Sequence, residues 1–283
     1  MSSTDQSPTI SPASDIYQTF DFGYDPTVEE PITPAVPPRL AELPPAASVN
    51  TEWLPPVGKQ TVPNCFVWSS VYGATTFWAA QSSGVAPTSP DRQAAPDYTY
   101  IQVEMQNDIA AGTCQGGKIT DCMGWVEKND GTASLAAAPN LSACGANWSA
   151  YGPGSQPIPP EAIFDLPEVD ATELKGPDGL RNLRTVIASG MPLAYGTFLY
   201  TDFLSYNGSP DPYVGNGIWL INEKTKQRAG HCMLIIAYDN TKEAVLIQNS
   251  MGTSWGSDGF MWMAYSTLQT TAQGLGFYIP AGS

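Results

Sequence analysis

An uncharged, strongly apolar block runs from Cys65 to Ala80. A helix that is apolar on every side is buried rather than amphipathic, so this block predicts a central helix enclosed by the rest of the fold. Pro63 and Asn64 precede the block, and Asn64 is expected to act as the N-cap of the helix. Two further helical stretches are predicted at residues 98–109 and 180–189.

The pattern changes after the Gly190-Met191-Pro192 sequence, which ends the last of these helices. Residues 193–200 alternate between apolar and polar positions, as in a half-buried strand. Residues 229–239 have the pattern of a loop that enters a buried strand, and residues 244–248 form a second apolar run. Short strands dominate the chain from Gly217 onward. We therefore predict an α+β fold with a helical first half and a β-rich second half.

Residues 1–48 differ in composition from the rest of the chain. They are rich in proline, serine, threonine and acidic residues, with Arg39 as the one basic side chain. Proline favours extended over helical backbone. One interpretation is an acidic, solvated tail. The other is a segment that docks across a cleft of the folded body, because these residues also include large apolar side chains that a solvating tail does not need: Ile16, Tyr17, Phe20, Phe22 and Tyr24.

Charge and hydropathy exclude several classes of function. The 283 residues carry a formal charge of -15, from 12 basic and 27 acidic side chains. Nucleic acids and anionic membranes both require a basic face, so neither is expected as a partner. Apolar runs stay well below the roughly 18 residues of a membrane-spanning helix. The N-terminus lacks the basic and apolar regions of a Sec signal, which favours a cytoplasmic protein or export by a non-Sec route.

The five cysteines are Cys65, Cys114, Cys122, Cys144 and Cys232. Their number is odd, so at least one is unpaired within the chain. We expect a disulfide among Cys114, Cys122 and Cys144, which lie in one region, and we expect Cys232 to be a small buried hydrophobe in its strand. The cysteines lack the close spacing of zinc modules, so we predict no metal site and no cofactor.

His231 is the one histidine in the chain, so chemistry that needs an imidazole at neutral pH has a single candidate. Cys65 begins the predicted central helix, where the helix dipole favours thiolate over thiol. An imidazole that takes the thiol proton needs a polar group to orient it, and Asn249 suits that role. Gln60, together with the backbone N–H of Cys65, suits stabilisation of an oxyanion. These residue types predict a thiol nucleophile with its base.

The sequence around these residues resembles that of the papain-like cysteine proteases, over about residues 48–270. Residues 56–60 resemble the approach to the family's oxyanion glutamine, and residues 65–69 resemble the nucleophile at the head of its central helix. Residues 114–117, Cys-Gln-Gly-Gly, are similar to the family's Cys-Asn-Gly-Gly element. Residues 230–238 resemble its base-bearing loop and strand. Residues 249–259 are similar to Asn-Ser-Trp-Gly-Thr-x-Trp-Gly-x-x-Gly, in which many positions agree in register.

The resemblance implies a two-lobed α+β papain-like fold with the active site in the cleft between the lobes. Residues 49–283 would be the catalytic domain, with a helical lobe at about residues 60–160 and an antiparallel β lobe at about 161–283. Residues 1–48 would be a propeptide or a cleft-blocking arm. The implied protein is a monomeric cysteine endopeptidase that acts on peptide or protein substrates through an acyl-enzyme.

The same resemblance assigns a role to each candidate site residue. Cys65 would be the nucleophile and His231 the base, while Asn249 would orient the imidazole and Gln60 would stabilise the oxyanion. The substrate-binding residues would be Gly116 and Gly117, which contact the substrate backbone, and Trp255, in the wall of the cleft.

This chain departs from the family pattern at several positions. The cysteine that usually precedes the nucleophile is missing, Gln60 is one residue closer to Cys65 than usual, and Met251 replaces a tryptophan. Residues 1–48 are also shorter than the long helical propeptide of many relatives. Two alternatives therefore remain: a papain-like scaffold that has lost activity and serves as a binding module, or a thiol transamidase or deamidase.

Overall fold

The central helix, α1, lies at the middle of the fold. In the computed structural model it consists of three consecutive segments, α-helical Cys65–Val67, π-helical Trp68–Thr75 and α-helical Thr76–Ser83. Every residue from 65 to 77 is buried, which confirms the predicted enclosed helix. The hydroxyls of Ser69 and Ser70 both donate to the carbonyl of Phe66. Such side-chain bonds compete with the regular backbone pattern and are a physical reason for the widened segment.

The structure describes residues 23–24, 37, 40, 42–110, 112–129, 131–140, 151, 163–164, 168–223 and 225–280. Four members of the predicted N-terminal apolar cluster, Ile16, Tyr17, Phe20 and Phe22, lie outside these residues, as does Cys144. Tyr24, the fifth member of the cluster, is described and buried.

The described residues contain four more helices. They are α2 (Pro96–Gln106), α3 (Ile119–Lys128), α4 (Gly179–Ala188) and α5 (Tyr265–Thr271), with 3₁₀ turns at Thr51–Trp53 and Pro90–Arg92. Helices α2 and α3 pack on α1. The stretches predicted at 98–109 and 180–189 correspond to α2 and α4, with boundaries that differ by one to three residues.

The strands form one large sheet and one small one. Their bounds are β1 (Ala46–Ser48), β2 (Thr132–Ala133), β3 (Ile163–Phe164), β4 (Asp170–Glu173), β5 (Leu193–Phe198), β6 (Gly230–Asp239), β7 (Ala244–Gln248), β8 (Phe260–Ala264) and β9 (Ala272–Tyr278). Six of the seven strands of the large sheet lie in the order β4-β9-β5-β6-β7-β8, the seventh, β1, pairs with β6, and β2 pairs with β3 in the small sheet. All of these pairings are antiparallel. The predicted α+β class, helical first and β-rich second, is confirmed.

Strand β6 is the main contact between the sheet and the central helix. Its first half pairs with β5, its second half pairs on the same side with β1, and β7 lies on its other side. Helix α1 packs against both β5 and β6. Because the first turn of α1 meets the start of β6, the fold brings Cys65 to His231. Strand β1 also joins residues 46–48, which composition assigned to the N-terminal segment, to the sheet of the folded body.

Asn64 precedes the helix as expected, but it contacts the first turn through its backbone carbonyl and not through its side chain. The Asn64 carbonyl accepts the N–H groups of Val67 and Trp68, at 2.9 and 3.2 Å, but its side chain makes no capping bond. Instead the side-chain amide donates to the carboxylate of Asp97, at 2.6 Å, in a fully buried pair. The first turn of the helix offers only N–H donors to the side-chain oxygen, whereas the Asp97 carboxylate accepts a charge-assisted bond from the amide nitrogen, so the side chain turns toward Asp97.

The cysteines divide into two groups. Cys114 is disulfide-bonded, whereas Cys65, Cys122 and Cys232 are thiols. Cys122 is therefore not in the disulfide expected among the three cysteines; it is buried under α1, with its sulfur 3.1 Å from the Ser70 hydroxyl. In the part of the chain that the structure describes, no three metal-binding side chains cluster. A search of the same residues for a helix able to cross a membrane finds none.

Candidate active site

The thiol of Cys65 lies at the first position of α1 and is fully buried. The backbone N–H of Cys232 donates to Cys65 Sγ at 3.2 Å. The Cys232 side chain and the charge of His231 also act on this thiol and lower its pKa. Three groups from the start of β6 therefore act on the sulfur at the point where helix and sheet meet.

The imidazole of His231 is oriented by Asn249. His231 Nε2 lies 2.8 Å from Asn249 Oδ1, and both residues are buried. The strand pattern explains this contact, because antiparallel pairing places Leu234 of β6 opposite Gln248 of β7. The residue that follows β7 then lies at the same end of the hairpin as His231. The predicted residues Cys65, His231 and Asn249 thus lie together at this end of the hairpin.

This environment favours the thiolate form of Cys65. Burial raises the pKa of the thiol, but the side chain of Cys232, the charge of His231 and the backbone N–H of Cys232 outweigh it and lower the pKa to about 6. A thiol with that pKa is mostly ionised at neutral pH, whereas an ordinary cysteine is not. The site can therefore supply a sulfur nucleophile beside a general base.

Gly116 and Gly117 lie on the other side of the thiol, in a loop held by α2. The Tyr100 hydroxyl donates to the carbonyl of Gln115 at 2.8 Å, and the buried carboxylate of Glu104 accepts the N–H of Gln115 at 2.7 Å. A Cβ at Gly117 would lie 2.8 Å from the ring of Phe66, the residue after the nucleophile. The loop thus approaches the head of α1 closely because its residues lack side chains.

A piece of the N-terminal segment occupies the space beside this loop. The N–H of Gly117 donates to the carbonyl of Gly23 at 2.6 Å, and Tyr24 forms a parallel β-bridge with Gly117. The ring of Tyr24 lies over Gly196 of β5, where a Cβ would be 2.4 Å from the ring. In the sheet, Gly196 is the direct partner of Cys232. Tyr24 therefore reaches the strand position opposite Cys232.

Comparison with known proteins places this geometry in a family. The profile described as papain family cysteine protease matches residues 102–274, which is more than half of the chain. The chain belongs to the papain family of cysteine proteases. A curated relative, an uncharacterized peptidase C1-like protein of Acanthamoeba polyphaga mimivirus, is 20% identical over 88 residues, which are 31% of this chain and 27% of that protein. The match to this relative thus spans about a quarter of its length.

Solved structures agree with the papain-like fold. Xylellain, a cysteine protease from Xylella fastidiosa, aligns with a TM-score of 0.69 at 18% identity and covers 93% of this chain and 97% of its own. The digestive procathepsin L2 proteinase from the Tenebrio molitor larval midgut has a TM-score of 0.70 at 19% identity and covers 95% and 80%. These similarities confirm the predicted two-lobed α+β fold.

Gln60 lies in this papain-family site despite its shortened distance in sequence from Cys65. Its Oε1 accepts the hydroxyl of Ser250 at 2.6 Å, and its Nε2 donates to the carbonyl of Val62 at 3.1 Å. The backbone N–H of Gln60 also donates to the carbonyl of Ser250 at 2.8 Å. Ser250 was not among the predicted site residues, although it directly follows Asn249.

Phe203 is a second residue that the sequence did not indicate. Its ring meets the edge of the His231 ring at 5.9 Å and packs on the Trp255 ring at 5.0 Å. Trp255, predicted as part of the cleft wall, is buried and donates from Nε1 to the carbonyl of Phe203 at 3.2 Å. Met251, which replaces the usual tryptophan, is buried and pairs with Lys59. Phe203 thus supplies the aromatic contact beside the imidazole.

Proposed function

We propose that this protein is a cysteine endopeptidase that hydrolyses peptide bonds of peptide or protein substrates through an acyl-enzyme. The observation that carries the proposal is the buried group of Cys65, His231 and Asn249. In this group His231 lowers the pKa of the Cys65 thiol, and Asn249 hydrogen-bonds to the imidazole. A thiolate that is stabilised by a neighbouring imidazole is the nucleophile that acyl transfer requires. Membership of the papain family supports the same reaction.

The reaction begins with attack of the Cys65 sulfur on the carbonyl carbon of the scissile peptide bond. The imidazolium of His231 then protonates the leaving amine, and the acyl group stays on the sulfur. Water, deprotonated by the neutral imidazole, attacks the thioester and releases the acid. Asn249 keeps the ring in one orientation through both steps, because its Oδ1 accepts a hydrogen bond from Nε2–H.

The negative charge on the tetrahedral intermediate requires donors near the sulfur. The backbone N–H of Cys65 lies in the first turn of α1 and is one donor. The second is the side-chain amide of Gln60, which has two N–H groups and gives one of them to Val62. Ser250 fixes the opposite end of this amide and so determines which atom faces the cleft.

The two alternatives make different demands on the site. An inactive binding module does not need a thiol whose pKa is lowered by a neighbouring imidazole, so the effect of His231 on Cys65 weighs against it. A transamidase or deamidase would use the same residues on a side-chain amide. The two reactions are separated by their products, because hydrolysis creates new peptide ends and deamidation releases ammonia.

The test is digestion of a peptide mixture by the wild type and by the Cys65→Ala, His231→Ala and Cys122→Ala variants. New peptide termini are counted by mass spectrometry, and ammonia is assayed in the same samples. We expect new termini from the wild type and from Cys122→Ala, whose thiol lies outside the site, and none above background from the other two. Equal cleavage by Cys65→Ala and the wild type would refute the proposal.

We also propose that the segment before residue 42 restrains this activity by occupying the cleft. Gly23 and Tyr24 fill the space between the Gly117 loop and Gly196. At Gly23, a Cβ would lie 2.2 Å from the carbonyl oxygen of Pro63, two residues before the nucleophile. A substrate chain needs the same backbone groups, so arm and substrate exclude one another.

A further inference from the structure

A second thiol lies beside the nucleophile and performs no bond-making or bond-breaking step in the proposed hydrolysis. Cys232 directly follows His231, and its backbone N–H is 3.2 Å from Cys65 Sγ. The Cys232 side chain also lowers the pKa of the Cys65 thiol, as expected for two side chains in close proximity. Both residues are at most 1% exposed and both are thiols rather than half of a disulfide.

The surroundings hold the two cysteines in this arrangement. Cys65 is fixed at the head of the buried helix α1, and Cys232 is paired with Gly196 in the middle of the large sheet. Helix α1 and strand β6 pack directly on each other. Since neither backbone segment is a loose loop, the two sulfurs stay near each other without a folding rearrangement. Such closeness converts a reaction between two thiols into an intramolecular step.

We propose that Cys232 is a resolving cysteine, which converts an oxidised Cys65 into a reversible Cys65–Cys232 disulfide. The inference rests on the reactive thiolate of the proposed function. The oxidant we name is hydrogen peroxide. The Cys65 sulfur attacks one peroxide oxygen, the O–O bond breaks, hydroxide leaves, and Cys65 becomes a sulfenic acid after losing two electrons.

The second step forms the disulfide. The Cys232 sulfur attacks the Cys65 sulfur, the S–S bond forms, and the S–O bond breaks. The leaving hydroxide takes the proton given up by Cys232, and water is released. A dithiol reductant reverses the change and returns both thiols. Without a resolving thiol, the sulfenic acid meets more peroxide and proceeds to the sulfinic acid, which the dithiol does not restore.

The consequence is an inactive form of the enzyme in which Cys65 is protected from over-oxidation. The nucleophile in the disulfide cannot attack a peptide, but its activity is recoverable. Cys122 provides the comparison, since it is also a buried thiol but contacts Ser70 rather than the catalytic residues. Cys122 is expected neither to cross-link to Cys65 nor to protect it.

The test treats full-length wild type, Cys232→Ala, Cys232→Ser and Cys122→Ala with hydrogen peroxide, and then with dithiothreitol. A second series carries Tyr24→Ala in the full chain, to open the cleft to peroxide. Intact mass and non-reducing peptide maps follow the sulfur chemistry independently of peptidase activity. Circular dichroism confirms that each variant is folded, and Cys232→Ser retains a polar side chain if Ala perturbs the strand.

We expect the wild type and Cys122→Ala to lose two hydrogen atoms, to yield a cross-linked peptide pair containing Cys65 and Cys232, and to recover with dithiothreitol. Both Cys232 variants should gain two oxygen atoms on Cys65, and their recovered reactivity should be about tenfold lower than that of the wild type. The proposal is overturned if no Cys65–Cys232 cross-link forms in either series, whether Cys65 is over-oxidised or unchanged. A cross-link in a protein that cleaves no peptide would leave this inference standing while the hydrolysis proposal fails.

Discussion

The hydroxyl of Ser250 donates a hydrogen bond to Oε1 of Gln60 at 2.6 Å, across 190 residues of sequence. The residue before Ser250 is Asn249, which orients the imidazole, so one short segment supports both the base and the oxyanion donor. The backbone of Ser250 adds a second bond, because its carbonyl accepts the N–H of Gln60 at 2.8 Å. The orientation of the Gln60 amide is thus coupled to the segment that carries Asn249.

This coupling predicts the effect of Ser250→Ala. The Gln60 amide would lose the bond that distinguishes its oxygen end, so we expect kcat to fall about tenfold with little change in KM. Gln60→Ala should cost more, on the order of 10²-fold in kcat, because it removes the donor itself. In the double variant the two losses should not add, since Ser250 acts through Gln60. Steady-state kinetics of the three variants checks this, and additive losses would contradict the coupling.

The lowered pKa of Cys65 predicts how its alkylation depends on pH. The pKa of the folded thiol is about 6, below its ordinary value, so the thiolate predominates above that pH and is lost as the pH falls through it. The rate of alkylation by iodoacetamide should therefore rise around pH 6 and stay level through neutrality. In His231→Ala the rise should move to higher pH, because the positive charge beside the sulfur is gone. If the alkylation rate of the wild type began to rise only above pH 8, the lowered pKa of Cys65 would be contradicted.

Much of the fold follows from patterns that are local in the sequence. The uncharged block 65–80 predicts the buried helix, and the apolar runs before and after residue 240 predict the hairpin that carries His231 and Asn249. The hairpin pairing then determines that these two side chains meet. The convergence of Cys65, His231 and Asn249 at one place in the fold was therefore accessible to sequence reasoning.

The sequence did not indicate contacts between residues that are far apart in the chain, or contacts of residues in segments without a periodic pattern. Phe203 lies in an irregular segment after β5, so nothing near it in sequence indicates that its ring faces His231. The bond between Asn64 and Asp97 spans 33 residues and replaces the cap that local rules predict. The contact between Cys232 and Cys65 depends on how closely α1 approaches β6. Composition shows only a small apolar residue at position 232.

The packing of Phe203 predicts a combined loss of stability and activity. The ring is almost completely buried, and it touches both His231 and Trp255. We expect Phe203→Ala to lower the free energy of unfolding by about 3–5 kcal/mol because it leaves a cavity. Phe203→Leu should cost less and keep more activity, since it fills most of that space. Urea unfolding and peptidase assays check both, and full activity in a folded Phe203→Ala variant would show that the ring does not support the imidazole.

The buried hydrogen bond between Asn64 and Asp97 predicts the effect of removing the charge of Asp97. Asp97→Asn preserves the shape of the side chain but removes its charge, and the hydrogen bond at 2.6 Å becomes one between neutral groups. We expect the free energy of unfolding to fall by about 1 kcal/mol, the difference between a hydrogen bond to a charged group and one between neutral groups. Asn64 directly precedes the nucleophile, so the rate of Cys65 alkylation should fall as well. Unchanged stability and reactivity would mean that the pair does not fix the head of α1.

The close approach of Gly23 to the head of α1 gives the sharpest test of the N-terminal arm. Gly23 has a φ of 95°, and a Cβ there would lie 2.2 Å from the Pro63 carbonyl oxygen, which is part of the backbone and cannot move aside like a flexible side chain. Gly23→Ala should therefore expel the arm, and we expect labelling of Cys65 by a papain-class epoxide to accelerate about tenfold or more.

Gly124→Ala is the matched control for Gly23→Ala, because a Cβ at Gly124 would meet nothing within 4 Å. Its labelling rate should equal that of the wild type. A chain that begins at Glu42 lacks the arm, so its rate of Cys65 labelling should be the highest of the series. It keeps Pro44 and Pro45, whose carbonyls accept the Tyr238 hydroxyl and the N–H of Asn240, and it keeps strand β1. If the wild type, Gly23→Ala and the shortened chain were all labelled at the same rate, the arm would not restrain the enzyme.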